Sequence, residues 1–274
     1  MDDITRLSIN QATTMIRWNL REAIQGYARH GVRQIAIWRN KLAECGLAEA
    51  KRLLRDEGMR VTGLNRAGPL FGVGAELAAT SMDDDRRAID DAAELGAECL
   101  LVFPGSMTPG SKDLVRARSM VLERIGTLLP EARKAGVMLA IEPLHPMCAA
   151  DRSPINTVAQ GVQLCEALGE GVGIVIDIYH VWWDPDLRNQ MERARANRIL
   201  GFHVSDWLVP TQDMLQDRGM MGDGVIDIRT IRGWLEDIGY RGAIEVEIFS
   251  TRNWWRRDPE DVVRICLERF RSSV

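Results

Sequence analysis

Eight apolar runs of strand length alternate with eight longer, charged, helix-period segments from one end of this chain to the other. That rhythm is the signature of βαβ units around a parallel sheet. The runs are Leu7 to Thr13, Arg33 to Trp38, Arg60 to Leu64, Cys99 to Phe103, Val137 to Leu144, Gly173 to Ile178, Ile199 to Val204 and Ala243 to Phe249. The helical segments are Asn19 to His30, Leu47 to Glu57, Asp84 to Leu95, Asp113 to Lys134, Pro154 to Leu168, Asp186 to Arg198, Asp227 to Ile238 and Asp258 to Arg271. Glycine follows a helix end at His30-Gly31, Glu57-Gly58, Leu95-Gly96, Ala135-Gly136 and Ile238-Gly239, where a left-handed C-cap is wanted. Ser153-Pro154, Asp184-Pro185 and Asp258-Pro259 read as an N-cap followed by proline in the first turn, and Asp227 as the cap of the helix that begins at Ile228. No linker or low-complexity stretch interrupts the pattern, so residues 1–274 read as one domain.

Eight parallel strands either close into a barrel or lie open as a doubly wound sheet. The length of 274 residues matches the roughly 250 that one (β/α)8 TIM barrel needs. Polar residues decide between the two. Glu142 in LAIEPLH, Asp177 in GIVIDIYH, His203 in LGFHVSD and Glu247 in AIEVEIFS stand at the C-terminal ends of the last four strands. A barrel makes those strands neighbours and gathers their ends on the face where such barrels hold their chemistry, whereas an open sheet would scatter them. A single (β/α)8 barrel is therefore expected.

Charged or imidazole groups at buried strand ends are costly without a common partner, and a shared divalent cation supplies one. Three carboxylates and one imidazole suit manganese, magnesium or cobalt better than a structural zinc, with manganese first and zinc as a further alternative. Singly, Glu142 could be a loop carboxylate, Asp177 a helix cap and His203 a satisfied core histidine. Four such coincidences in matched positions favour the metal. Glu245 and Glu247 point to the same side of the last strand, and Glu247 is nearer the mouth, which leaves Glu245 to pair with a basic group deeper inside.

Around this set, His180 is placed to donate to a ligand oxygen, with packing on Trp182 or Trp183 as its alternative. His145 is a second polarising group or a loop histidine. Arg218, in the loop DRGMMGDG, is placed to neutralise an oxyanion or to remain solvated. Trp38, Trp182, Trp183, Trp207, Trp254 and Trp255 offer flat faces for a sugar, or serve helix packing or a subunit interface. Cys148 lies nearby and reads as a packing residue.

Lys and Arg total 35 against 39 Asp and Glu, a formal charge of −4, which gives no broad basic surface for nucleic acid. No apolar run approaches the roughly 20 residues that span a bilayer. The acidic start MDDITRLSINQ lacks the features of a signal peptide, and the five scattered cysteines form no framework. A cytoplasmic protein is expected, and a homo-oligomer is compatible with these features.

The motifs I-E-P-L, V-I-D-I-Y-H, G-F-H-V-S-D, G-D-G-V-I-D and I-E-V-E-I-F, between Leu139 and Ser250, resemble the sugar phosphate isomerase/epimerase family. These are the xylose isomerase-like barrels that include ketose 3-epimerases and inosose dehydratases. The resemblance implies that Glu142, Asp177, His203 and Glu247 bind one divalent ion and that His180 contacts substrate. It also implies proton abstraction beside a carbonyl, through an enediolate, with Glu142 and Glu247 as the proton carriers. His145-Pro146-Met147 and the insertion from Trp207 to Met221 depart from the better-characterised epimerases, and no glycine-rich phosphate cradle is present. The leading expectation is a metal-dependent isomerase or epimerase of a carbohydrate. A lyase or dehydratase acting on an inosose or 3-keto-glycoside, and a catalytically silent sugar-binding barrel, are the alternatives.

Overall fold

A computed structural model describes residues 4–71, 81–108 and 110–274. Eight parallel strands close in the order β1 (Leu7–Asn10), β10 (Ile244–Val246), β7 (Ile199–Val204), β6 (Val172–Asp177), β5 (Leu139–Ile141), β4 (Leu100–Val102), β3 (Arg60–Ala67) and β2 (Gln34–Trp38). This is the (β/α)8 barrel the alternation predicts. A two-stranded antiparallel ribbon, β8 (Asp206–Trp207) with β9 (Arg218–Gly219), stands on it after β7.

Around the barrel run α1 (Leu20–Arg29), α2 (Arg39–Cys45), α3 (Leu47–Asp56), α4 (Met82–Leu95), α5 (Leu114–Ala135), α6 (Val158–Leu168), α8 (Leu187–Ala194), α9 (Ile228–Asp237) and α10 (Pro259–Ser273). The one-turn α7 (Ile178–Val181) follows β6 directly. The main apolar core lies between strands and helices and is built from outward strand residues such as Ile9, Ile35, Ile141 and Ile176 against helix residues such as Ile24, Leu53, Ile125 and Val162. A small second cluster, Cys99, Leu101, Ala140 and Val175, fills one side of the barrel interior. The other side holds Ser8, Thr62 and Glu245, joined by hydrogen bonds. Burying those polar groups is tolerable because each has a partner.

All five expected C-cap glycines carry positive φ, from 61° at Gly58 to 90° at Gly239. Other boundaries move for local reasons. The strand expected over Leu7 to Thr13 stops at Asn10, whose side-chain oxygen accepts the Ala12 amide and turns the chain into a 3-10 helix at Gln11–Thr13. The helix expected from Pro154 starts at Val158. Ser153 spends its hydroxyl on the Ile155 amide, and Thr157, in extended conformation, caps the helix at Gln160 N instead. Asp184 likewise accepts from Asp186 N, so α8 starts only at Leu187. Asp258-Pro259 and Asp227 cap as expected. The segment Arg39–Cys45 forms a helix that the sequence pattern does not single out, separated from α3 by Gly46 at φ 85°.

All five cysteines are free. Among the described residues no helix is long and apolar enough to cross a membrane.

The β3 and β4 strands continue past their ladders to a bridge between Phe71 and Gly105. Gly105 has φ 87°, and a Cβ there would lie 1.8 Å from the Phe71 carbonyl oxygen. Gly96 has φ 62° but open space around it. Gly105→Ala is therefore expected to cost roughly 2–4 kcal/mol, combining left-handed strain with overpacking, and Gly96→Ala only about 1 kcal/mol. Urea unfolding of the two variants checks this, and equal losses would show that the Phe71 contact is not limiting.

Candidate active site

The barrel brings Glu142, Asp177, His203 and Glu247 together. Glu142 follows β5, Asp177 closes β6, His203 is the penultimate residue of β7 and Glu247 follows β10. Parallel register sets Asp177 beside His203, and His203 beside Glu245. Each of the four offers one ligand atom, and those atoms all lie within 4.8 Å of one another. Glu142 Oε1 and His203 Nδ1 are buried, 3.4 Å apart, and neither has a hydrogen-bond partner among the described residues. His203 Nδ1 also lies 3.7 Å from Glu247 Oε2. Buried polar atoms left unpaired and aimed at one another are what a missing cation would satisfy, and the O,O,O,N donor set fits a divalent ion.

Electrostatics agree. Burial, with Glu247 and Asp177 nearby, pushes the Glu142 carboxyl up to about 6. Burial works against a charged His203, but the carboxylates of Glu245, Glu142 and Glu247 override it and hold the imidazole well above its ordinary value. Burial would raise Asp177, yet Arg218 first, and the protonated His203 with it, bring it below the usual carboxylate range.

Arg218, expected in a loop, sits on β9 and is buried, where its guanidinium clamps the cluster from above. Its Nη1 donates to Asp177 Oδ2 at 2.8 Å and to Glu247 Oε2 at 3.2 Å. Its Nη2 lies 3.2 Å from His180 Nε2. The guanidinium carbon stacks over Tyr179 at 4.5 Å from the ring centre. Because a guanidinium can only donate, His180 Nε2 is the acceptor and Nδ1 carries the proton. Burial lowers His180 to about 3, so the ring is neutral. Its Nδ1 has no partner among the described residues, which leaves one fixed donor on a side chain that lines the cavity. His180 lies on α7 and not in a loop, since Asp177 caps that turn through Tyr179 N.

Below this layer, Glu245 lies 3.4 Å from His203 Nε2, so the basic group it meets is the candidate ligand itself. Asn10, at the end of β1, donates to Glu245 Oε1 at 2.8 Å and to Glu247 Oε1 at 3.0 Å. Its oxygen accepts from Trp38 Nε1 at 2.8 Å. Asn10 therefore fixes Glu247 from one side while Arg218 fixes it from the other. The sequence does carry a signal for it: a polar residue ends the apolar strand LSIN, in the same relative position as the four ligands.

A cavity of about 240 Å³ opens above the cluster, and Trp38, Glu142, His180, Arg218 and Glu247 line it. His145 and Trp207 are brought together but do not line it. Their rings stack at 5.1 Å, and Trp207 also meets Tyr179 at 4.9 Å, which seats the ribbon on the barrel. Trp254 and Trp255 are buried packing residues, and Trp255 Nε1 donates to Ala12 O at 2.7 Å. Cys148 is buried with Phe103 and Leu144, and burial pushes its thiol up to about 11. Arg66, Arg152 and Gln216 complete the wall. Nothing in the apolar periodicity marks these three, because they stand outside it.

The chain is similar to several known proteins. The model of the xylose isomerase-like TIM barrel matches residues 24–272. An inosose isomerase of Bacillus velezensis is 24% identical over 98% of this chain and 97% of that protein. A crystal structure of a protein from Sinorhizobium meliloti 1021 is 52% identical, with a TM-score of 0.94 over 98% of each chain. The IOLI protein, solved with a binding zinc atom, superposes with a TM-score of 0.79 over 96% of each chain at 19% identity. With the family model matched over nearly the whole length, and with a closed eight-stranded barrel bearing its polar cluster at the strands' C-terminal ends, this chain belongs to the xylose isomerase-like TIM barrel family.

Proposed function

We propose that this protein is a divalent-metal-dependent isomerase or epimerase that moves a proton on the carbon next to a carbonyl of a small carbohydrate or cyclic polyol ketone. The observation that carries this is the pairing of Glu142 and Glu247, two carboxylates in one ligand cluster at the floor of a cavity large enough for a small polyol. The relatives named inosose isomerase support the choice of substrate class. Glu142, Asp177, His203 and Glu247 would hold the ion, and manganese remains the first choice for an oxygen-rich set with one nitrogen. When bound, the ion polarises a carbonyl and an adjacent hydroxyl and so acidifies the carbon–hydrogen bond between them.

The chain's own groups do the rest. Glu247, held by Asn10 and Arg218, is a base with its lone pairs already oriented. Glu142, which lines the same cavity, is the second carboxylate placed to carry the proton back. His180 donates from Nδ1 to a substrate oxygen without itself becoming charged. Return of the proton to the opposite face of the same carbon gives epimerisation, and return to its neighbour gives isomerisation.

Three outcomes are expected. Glu247→Gln should fold and lose at least ~10²-fold in exchange of the substrate's carbon-bound hydrogen with solvent deuterium, scored by NMR across ketoses and inososes. Undiminished exchange in that variant would remove Glu247 from proton transfer. Manganese at 100 times its Kd should stabilise the wild type by about 2.7 kcal/mol, several degrees in Tm, and His203→Ala should abolish that shift. Elemental analysis of the same samples reports the metal directly.

The third outcome concerns pH. In the metal-free protein His203 is protonated at pH 7, because its affinity for the proton is raised, and Glu142 becomes protonated below about 6. Metal must displace those protons, so affinity should rise with pH, most steeply below 6. Calorimetry at pH 7 in buffers of different ionisation enthalpy should report about one proton released per ion bound. A value of zero would show that His203 is not a ligand.

A further inference from the structure

The arginines of the cavity fall into two kinds. Arg218 is bonded to Asp177 and Glu247, and these neighbours outweigh its burial and raise its proton affinity above the ordinary value. Arg66, on β3, and Arg152, past the turn that follows β5, both line the cavity but have no hydrogen-bond acceptor and no carboxylate partner among the described residues. Their guanidinium carbons lie 3.6 Å and 5.5 Å from the centre of the same ring, that of Phe103. Burial and the positive charge of Arg152 push Arg66 down to about 10, in the direction opposite to Arg218.

Two half-buried cations gathered around one ring repel each other, and an aromatic ring compensates weakly for lost hydration. The two carboxylates that share their cavity compensate them only in part: the charge of Glu142 favours that of Arg66 but does not offset its burial, and Glu247 is already bonded to Arg218. Each guanidinium therefore presents free donors to whatever fills the cavity. Forked, planar donors of this kind match the oxygens of a carboxylate or a phosphate.

We infer that the substrate carries an anionic oxyacid group, carboxylate or phosphate, which Arg66 and Arg152 bind together over Phe103. This rests on the proposed function in treating the bound molecule as a sugar-sized ketone and Glu142 and Glu247 as engaged by the ion. It assigns recognition of the charged end to the bulged end of β3 and the loop after β5, apart from the proton-transfer pair.

The test uses the manganese-loaded protein with D-fructose, D-fructuronate and D-fructose 6-phosphate as probes, together with inorganic phosphate, and measures binding by calorimetry at low and high salt. At least one anionic sugar is expected to bind roughly 10-fold or more tighter than fructose, with the advantage shrinking as salt rises. Preference for the uronate identifies the group as a carboxylate, and preference for the sugar phosphate identifies a phosphate. Arg66→Met and Arg152→Met should each erase the advantage while metal content and the affinity for fructose stay unchanged, and Arg66→Lys should recover part of it.

Equal binding of all the sugars, no binding of any anionic probe, or a loss of fructose and anion affinity together in both Met variants would overturn the inference. Deuterium exchange on the same probes separates the two proposals. Exchange that is indifferent to the anionic group removes this inference and keeps the reaction. Arginine-dependent anion binding without any exchange keeps this inference and removes the reaction.

Discussion

Carboxylates crowd one imidazole at the top of the barrel, and their mutual repulsion is the constraint that the surrounding structure answers. Glu142, Glu245 and Glu247 lie within 3.7 Å of the ring nitrogens of His203, and Asp177 completes the cluster. Two like charges 4 Å apart repel by about 4 kcal/mol at the effective dielectric of partly buried sites, so several such pairs would rival the whole stability of an ordinary domain. Arg218 offsets Asp177 and Glu247, and a protonated His203 offsets Glu142 and Glu245. An ion bound among the ligands would take over the part played by the imidazole's proton. The fold thus tolerates the cluster in either state.

The geometry of that cluster depends on barrel closure. The seam between β1 and β10 sets Ser8 beside Glu245, and Asn10 on β1 reaches both Glu245 and Glu247. Ser8 and Thr62 complete the bonds to Glu245 from the first and third strands. A site whose ligands come from β5, β6, β7 and β10 is therefore braced by residues of β1 and β3, on the far side of the closing seam. An open sheet would leave the outermost ligand without that brace.

Most of the barrel and all four candidate ligands were legible in the sequence because both follow from periodicity. Apolar runs mark strands, and a polar residue that ends such a run stands out against it, as Glu142, Asp177, His203 and Glu247 do. The choice of Glu247 over Glu245 was also legible, since period two puts them on one side and the chain direction orders their depth. What periodicity does not encode is competition for local hydrogen bonds. Ser153 bonds the Ile155 amide and so gives up its expected cap to Thr157, and Asn10 ends β1 by accepting from Ala12. The aromatic residues were the least legible. A tryptophan suited to a sugar is equally suited to packing, and the structure shows Trp207 of the ribbon stacked on His145, with neither ring lining the cavity.

The division between rigid and variable parts follows from the same geometry. Candidate ligands at strand ends are fixed by register, so the place of the proposed proton transfer is set by the barrel itself. The cavity wall also draws on the bulged end of β3, the loop after β5 and the connection between β8 and β9, which present Arg66, Arg152 and Gln216. Loops accept substitution with little cost to the core, whereas a change at a strand end disturbs both register and charge balance. Proton transfer next to a carbonyl asks the same geometry of every substrate, while the rest of the molecule differs from one to the next. The unpaired cations stand away from the strand-end cluster, at the bulge of β3 and in the loop after β5: in the proposed recognition their desolvation is compensated only when the matching substrate arrives, so they would discriminate without altering the balance that holds the carboxylates together.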